Sequence, residues 1–135
     1  METIVTTVAI LEESNAFLIS RPDSTGFWEF PGGRHVSGEE PEIGLMRSVK
    51  EELSIDITIL DIFKVVSHVV DNKQIVILAY LCVRNFGEPE SKHDGEFNWV
   101  TLDELRSGKF EFSESNKKII NKISLFSGCG PSLIS

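Results

Sequence analysis

The sequence predicts a mixed α/β domain, and three observations lead there. Two stretches rich in β-branched and aromatic residues are each broken by a short polar turn, as paired strands are. Residues 41–53 open on a proline and repeat their apolar positions at helical spacing. Residues 114–125 carry Ile119, Ile120 and Ile123, a spacing suited to a closing helix.

Taken in order, residues 3–11 and 16–20 flank the turn Glu12-Glu13-Ser14-Asn15 and predict a first hairpin. A loop over 22–26 leads into Phe27-Trp28-Glu29-Phe30-Pro31-Gly32-Gly33, where aromatics meet a Pro-Gly-Gly break. In the 41–53 helix Pro41 suits the first position, and Glu39 and Glu40 sit favourably near the positive end of the dipole. At 100° per residue, Glu42, Met46, Val49 and Leu53 share one side, and Ser48, Glu51 and Glu52 the other. One side is expected to pack and the other to carry acid. Residues 55–70 and 74–83 around Asp71-Asn72-Lys73 predict a second, longer hairpin. Residues 97–101 read as a short strand and 102–105 as a helical turn. From 127 onward glycine, serine and proline predict a frayed tail, so the single domain is expected to occupy 1–126. No internal repeat or low-complexity segment is present.

Composition narrows the classes. A chain of 135 residues, 41% hydrophobic, can bury one core but not two. Its net charge of −8 repels a nucleic-acid polymer, so a phosphorylated ligand needs a metal or a local basic site. Cys82 lies in an apolar run and Cys129 in the tail, which fits neither a disulfide framework nor a zinc site and points to a reduced, cytoplasmic protein. The first twenty residues lack a secretory signal, and the longest apolar run, 75–83, is about half of the ~20 residues a membrane helix needs.

Cutting a pyrophosphate requires charge neutralisation at its oxygens and an activated water, and carboxylates holding a divalent cation can supply both. Glu51 and Glu52, downstream of a glycine loop that lets backbone approach a ligand, have the right chemistry. Paired glutamates alone are usually a solvated face. The spacing is what singles them out. Residues 33–55 resemble the Nudix box, G-x5-E-x7-R-E-U-x-E-E-x-G-U with U a bulky aliphatic residue: Gly33, Glu39, Arg47, Val49, Glu51, Glu52 and Ile55 fall in place. Ser48 stands where the family has a glutamate and Ser54 where it has a glycine. Upstream, Gly26-Phe27-Trp28-Glu29-Phe30-Pro31-Gly32-Gly33 is similar to the corresponding run of the MutT-like branch, and Trp99 to Leu105 resembles the end of many Nudix domains.

The resemblance implies a Nudix fold, an α/β/α sandwich with a mixed, curved sheet and a loop-helix-loop metal site. It implies Mg²⁺ or Mn²⁺ on the Gly32 carbonyl, Glu51 and Glu52, with Arg47 orienting Glu51 from one helical turn away. Glu39 either anchors the helix or touches metal. Ser48 removes a charge from the site, and a hydroxyl is a poor base. The MutT-like branch also uses a glutamate six residues before the conserved tryptophan; here that position is His93, with Asp94 and Glu96 nearby as substitute carboxylates. On the substrate side the resemblance points to Arg21 near the nucleotide and Asn116 as a reader of the base, and Phe30 beside the loop is a candidate to pack on the base. His35 and His68 have no assigned role and are expected to be structural or exposed.

The expected activity is metal-dependent hydrolysis of a nucleoside triphosphate, 8-oxo-dGTP-like or CTP-like, to monophosphate and pyrophosphate. ADP-ribose, a sugar nucleotide or a dinucleotide is an alternative substrate, and a weakened domain that binds a nucleotide or a protein without hydrolysis is the alternative from another class. The expected partner is a small nucleotide, not a polymer or a membrane, with the chain a monomer or homodimer.

Overall fold

The computed structural model describes residues 1–24, 26–92 and 94–127. Strands β1 (Glu2–Glu13) and β2 (Ala16–Arg21) form the first hairpin, and β4 (Asp56–Val70) and β5 (Lys73–Phe86) the second. Both turn on two residues. Ser14 and Asn15 have φ of 50° and 64°, Asp71 and Asn72 of 50° and 58°. Two successive left-handed residues make the turn whose twist matches that of the flanking strands, and Asn and Asp tolerate it best. Between the hairpins lie β3 (Gly32–Arg34) and helix α1 (Pro41–Leu53). After them come β6 (Glu96–Thr101), α2 (Leu102–Arg106) and α3 (Glu114–Ser127).

The sheet runs β4-β5-β1-β2-β6, with β1 parallel to β5 and the other pairs antiparallel, so it is mixed as expected. Strand β1 divides its partners. Thr6, Thr7 and Val8 pair with β3, whereas only Glu12 and Glu13 pair with β2. Strands β1 and β2 therefore diverge, and residues 28–34 fill the opening, bonding to β2 through Ser20 and Glu29 and to β1 through Ala9 and Pro31. Strand β3 was not foreseen. Gly-Gly-Arg has no strand-forming side chains, and it pairs because the β1 backbone lies so close that a Cβ on Gly32 would stand 1.9 Å from the Thr7 carbonyl oxygen.

Alternate residues of β1 and β2 enter opposite cores. Val8, Ile10, Phe17 and Ile19 join Ile119, Ile120 and Ile123 of α3; Ala9, Leu11 and Leu18 join Leu45, Val49 and Leu53 of α1. Both faces of the sheet are covered, which is the α/β/α arrangement. Burial pushes the Cys82 thiol up to about 12, so it behaves as an apolar core residue.

Helix α1 occupies its expected span, but its inner face is rotated. Gly44, Leu45, Ser48, Val49 and Leu53 are buried and Glu42 is exposed, so Glu42 does not belong to the packing side and Ser48 does not belong to the solvated one. The helix is wedged between the sheet and the glycine loop, and the two contacts together bury a wider arc than one sheet face would. Ser54 ends it with φ 61° and ψ 27°, donating its backbone N–H to the Lys50 carbonyl at 3.0 Å. The left-handed cap that a glycine would favour is thus made by serine. On the opposite face, Lys118 donates to the Ser67 carbonyl of β4 at 2.9 Å and Lys122 to that of Phe63. The expected frayed tail lies, from residue 128, outside the described residues.

Candidate active site

The opening between β1 and β2 faces the acidic side of α1 and bounds a cavity of about 510 Å³. Gly32, Gly33, Arg21, Arg47, Ser48, Glu51, Glu52 and Glu96 line it. Sequence-predicted residues from four elements thus meet in one place.

Glu52 is the most constrained. Ser20 donates its hydroxyl to one carboxylate oxygen at 3.0 Å, and the Gly32 N–H reaches the other at 3.3 Å. Burial nevertheless raises its pKa, outweighing those bonds. Beside it stands Glu29, pushed up to about 7 by burial and by the Glu52 charge. The sequence reading missed Glu29 and Ser20. The signal was alternation: Trp28 and Phe30 turn into the α3-side core, so Glu29 between them must face the other way, toward α1.

Glu51 is exposed, and Arg47 Nη1 donates to it at 3.1 Å. The same guanidinium grips Glu39 with Nε at 2.9 Å and Nη2 at 3.0 Å. The Arg47 guanidinium holds the Glu39 carboxyl below the usual carboxylate range and ties the loop to the helix, a contact that fits the anchoring reading of Glu39. Gly44 leaves room for it, since a Cβ there would meet a Glu39 oxygen at 2.8 Å. His35 completes the clasp with a ring nitrogen 2.6 Å from the Glu39 carbonyl.

Ser48 lines the cavity with Glu51 and Glu52 and packs on the loop; a Cβ on Gly33 would lie 2.7 Å from its hydroxyl oxygen. Arg21 is ion-paired with Glu96 and stacks over Trp28 at 4.7 Å. Glu96 is thereby engaged by a cation, Asp94 is exposed and off the cavity wall, and His93 lies outside the described residues. Phe30 is 1% exposed and stacks on Phe112, so it is a core residue here and not a wall of the cavity. Asn116 is buried too. Its amide nitrogen donates to Ser113 Oγ at 2.9 Å, while its oxygen has no partner among the described residues. His68 is bonded through Nδ1 to the buried Ser115 hydroxyl.

Among the described residues no three His, Cys, Asp or Glu side chains come together as a metal cage. Magnesium does not demand one, because it is commonly held by one or two carboxylates with water and substrate phosphates completing the shell. Two neighbouring carboxyls whose pKa values are raised by burial, that of Glu29 also by the Glu52 charge, fit such an ion, which would offset the cost of their negative form.

The NUDIX domain family model matches residues 6–122. The chain belongs to that family. It is a MutT-like Nudix hydrolase, as its relatives show, and solved structures share its fold. An 8-oxo-dGTP diphosphatase of Escherichia coli is 28% identical over 84% of this chain and 90% of its own length. One from Haemophilus influenzae is 32% identical over 70% and 68%. One from Proteus vulgaris is 36% identical, but the match spans 52% of this chain and 65% of that protein. In fold, the E. coli ORF135 protein superposes with a TM-score of 0.80 at 23% identity, covering 98% of this chain and 96% of its own. The MutT Nudix hydrolase of Burkholderia pseudomallei gives 0.78 at 23% identity, covering 90% and 98%. The Nudix box therefore sits in its expected fold with seven of its nine defined residues present, Ser48 and Ser54 being the departures.

Proposed function

We propose that this Nudix hydrolase, acting in the cytoplasm, converts a nucleoside triphosphate to the monophosphate and pyrophosphate. The observation that carries the reading is the convergence of Glu51, Glu52 and the Gly32-Gly33 loop on one cavity beside Arg21 and Arg47. Relatives named 8-oxo-dGTP diphosphatase support a purine triphosphate as substrate.

In this reading water attacks a phosphorus, the anhydride P–O bond breaks, pyrophosphate leaves and the proton of the water passes to the site. Glu51, Glu52 and the Gly32 carbonyl would hold Mg²⁺ or Mn²⁺, which supplies charge neutralisation at the phosphate oxygens and a more acidic water. Arg47 keeps Glu51 aimed while fastening the loop through Glu39. Ser20 and the Gly32 N–H orient Glu52. Glu29 takes up or holds a proton near neutral pH beside Glu52. Asn116 is the candidate for base recognition: it lies off the cavity wall, but its buried amide oxygen has no partner among the described residues and is free to accept a hydrogen bond if a base reaches it.

A second reading, a weakened domain that binds a nucleotide without turnover, is favoured by Ser48, a buried hydroxyl at a position where the family supplies a charge. One experiment separates them. Wild type and Asn116→Ala are assayed with dGTP, 8-oxo-dGTP, CTP and ADP-ribose in magnesium, detecting pyrophosphate or phosphate. Pyrophosphate release from a triphosphate is expected, with Asn116→Ala raising KM and flattening the ranking of bases. Binding without release would favour the weakened domain, and an unchanged ranking would remove Asn116 from recognition.

A further inference from the structure

Four basic side chains line the cavity of a protein whose net charge is −8. Two are already engaged: Arg21 with Glu96, and Arg47 with Glu39 and Glu51. Arg34 and Lys92 also line the cavity, and neither side chain makes a hydrogen bond or ion pair among the described residues. They arrive from separate parts of the chain. Arg34 ends β3, where it pairs with Thr6 of β1. Lys92 precedes β6, and its carbonyl accepts the Gly95 N–H at 2.8 Å, in a turn where a Cβ on Gly95 would stand 3.0 Å from that oxygen.

In an acidic protein, two basic side chains left unpaired among the residues lining one cavity mark a place suited to an anion. Ser48 sharpens the point, because a glutamate at its place would add a negative charge to the same cavity. Each further phosphate of a ligand brings more anionic oxygens, so two cations that reach one cavity from separate parts of the chain gain more contacts from a longer polyphosphate.

We propose that Lys92 is a specificity residue that reads polyphosphate length. With Arg34, its ammonium binds the portion of the substrate that departs as pyrophosphate, favouring triphosphates over diphosphates. This rests on the triphosphate reading above, and its direct consequence is affinity for an inorganic polyphosphate with no metal present.

The test uses the full chain, with Lys92→Ala, Lys92→Glu and, as a control outside the cavity, Lys73→Ala. Calorimetric titration with inorganic tripolyphosphate in EDTA at low salt should show binding by wild type and the control. Lys92→Ala should weaken it about fivefold, near the upper end of an exposed charge pair, and Lys92→Glu should weaken it more. Inorganic phosphate should not distinguish the proteins. With magnesium, kcat/KM for a triphosphate relative to its diphosphate should fall in Lys92→Ala by a similar factor, carried by KM. Absence of tripolyphosphate binding in wild type, or equal affinity in Lys92→Ala, overturns the assignment. Triphosphate turnover with an unaltered ratio overturns it too while leaving the hydrolase reading intact. Lys92-dependent tripolyphosphate binding without turnover of any triphosphate would instead overturn the hydrolase reading and keep the lysine as a polyphosphate contact.

Discussion

Helices α1 and α3 cover opposite faces of one sheet at nearly equal length, 13 and 14 residues, yet their inner faces are built for different ends. The buried side of α3 holds Ile119, Ile120 and Ile123 and delivers apolar area. The buried side of α1 includes Gly44 and Ser48, which bring little apolar area but let the glycine loop come within contact distance. What α1 gives up in packing it recovers as position, since that closeness puts the Gly32 N–H on Glu52. One helix is a lid on the core and the other is a mount for carboxylates.

The sharpest way to break this contrast is a pair of substitutions. Ile119→Ala, at a fully buried site, should lower stability by about 2–5 kcal/mol and leave the turnover of the folded fraction near wild type. Glu52→Gln should do the reverse, cutting kcat by about a hundredfold or more with a small change in melting temperature. Denaturation curves and steady-state rates on both proteins check it, and equal turnover in Glu52→Gln would end the metal assignment.

The cost of the mount should be visible in its pH dependence. The folded protein holds the Glu29 proton up to about pH 7, whereas the unfolded chain releases it near 4.5. The native state therefore binds more protons across that window, and stability falls as pH rises through it. At about 1.4 kcal/mol per pH unit, the full penalty above pH 7 is about 3 kcal/mol. In EDTA, Glu29→Gln should be more stable than wild type at pH 8 and equal to it below pH 4.5. Magnesium should stabilise wild type more at pH 8 than at pH 5. Melting temperatures that do not depend on pH between 4.5 and 7.5 would contradict the crowding of Glu29 and Glu52.

Smaller effects follow within α1. Ser48→Glu adds a carboxylate to the cavity wall but must displace the packing on Gly33. It should tighten magnesium binding several-fold, at a cost of about 1–3 kcal/mol in stability from the enlarged side chain. Tighter binding without that cost would mean that the loop yields more easily than its contacts suggest. At the helix end, Ser54→Gly should raise stability by about 1 kcal/mol, because the left-handed backbone at φ 61° strains a residue with a Cβ.

These same places mark how far the sequence could be read. The span of α1 was legible because its signals are local: a proline at the first helical position, acidic residues before it, and apolar positions at helical spacing. The hairpins were legible from alternation and turn residues. Strand β3 was not, because Gly-Gly-Arg pairs through what lies beside it. In the candidate site, the box residues were found by spacing, and the structure brings Glu51, Glu52, Arg47 and Gly32 together. The pairing of Arg21 with Glu96, residues 75 apart, could not be read from either neighbourhood. Phe30 looked available for stacking because sequence shows an aromatic beside a loop and not the Phe112 ring that covers it.

Strand β4 ends the sheet, and its outward side chains leave Leu60, Ile62, Val65, Val69 and Val70 exposed. Fifteen residues of open, apolar strand are a template on which another chain can add itself. The ammonium groups of Lys118 and Lys122 occupy the Ser67 and Phe63 carbonyls of this strand and set positive charge beside it. A chain kept dispersed by its negative charge thus guards its weakest margin with the opposite sign. Neutralising these two lysines would therefore remove, in one change, two hydrogen bonds to the β4 backbone and the positive charge beside its exposed apolar side chains.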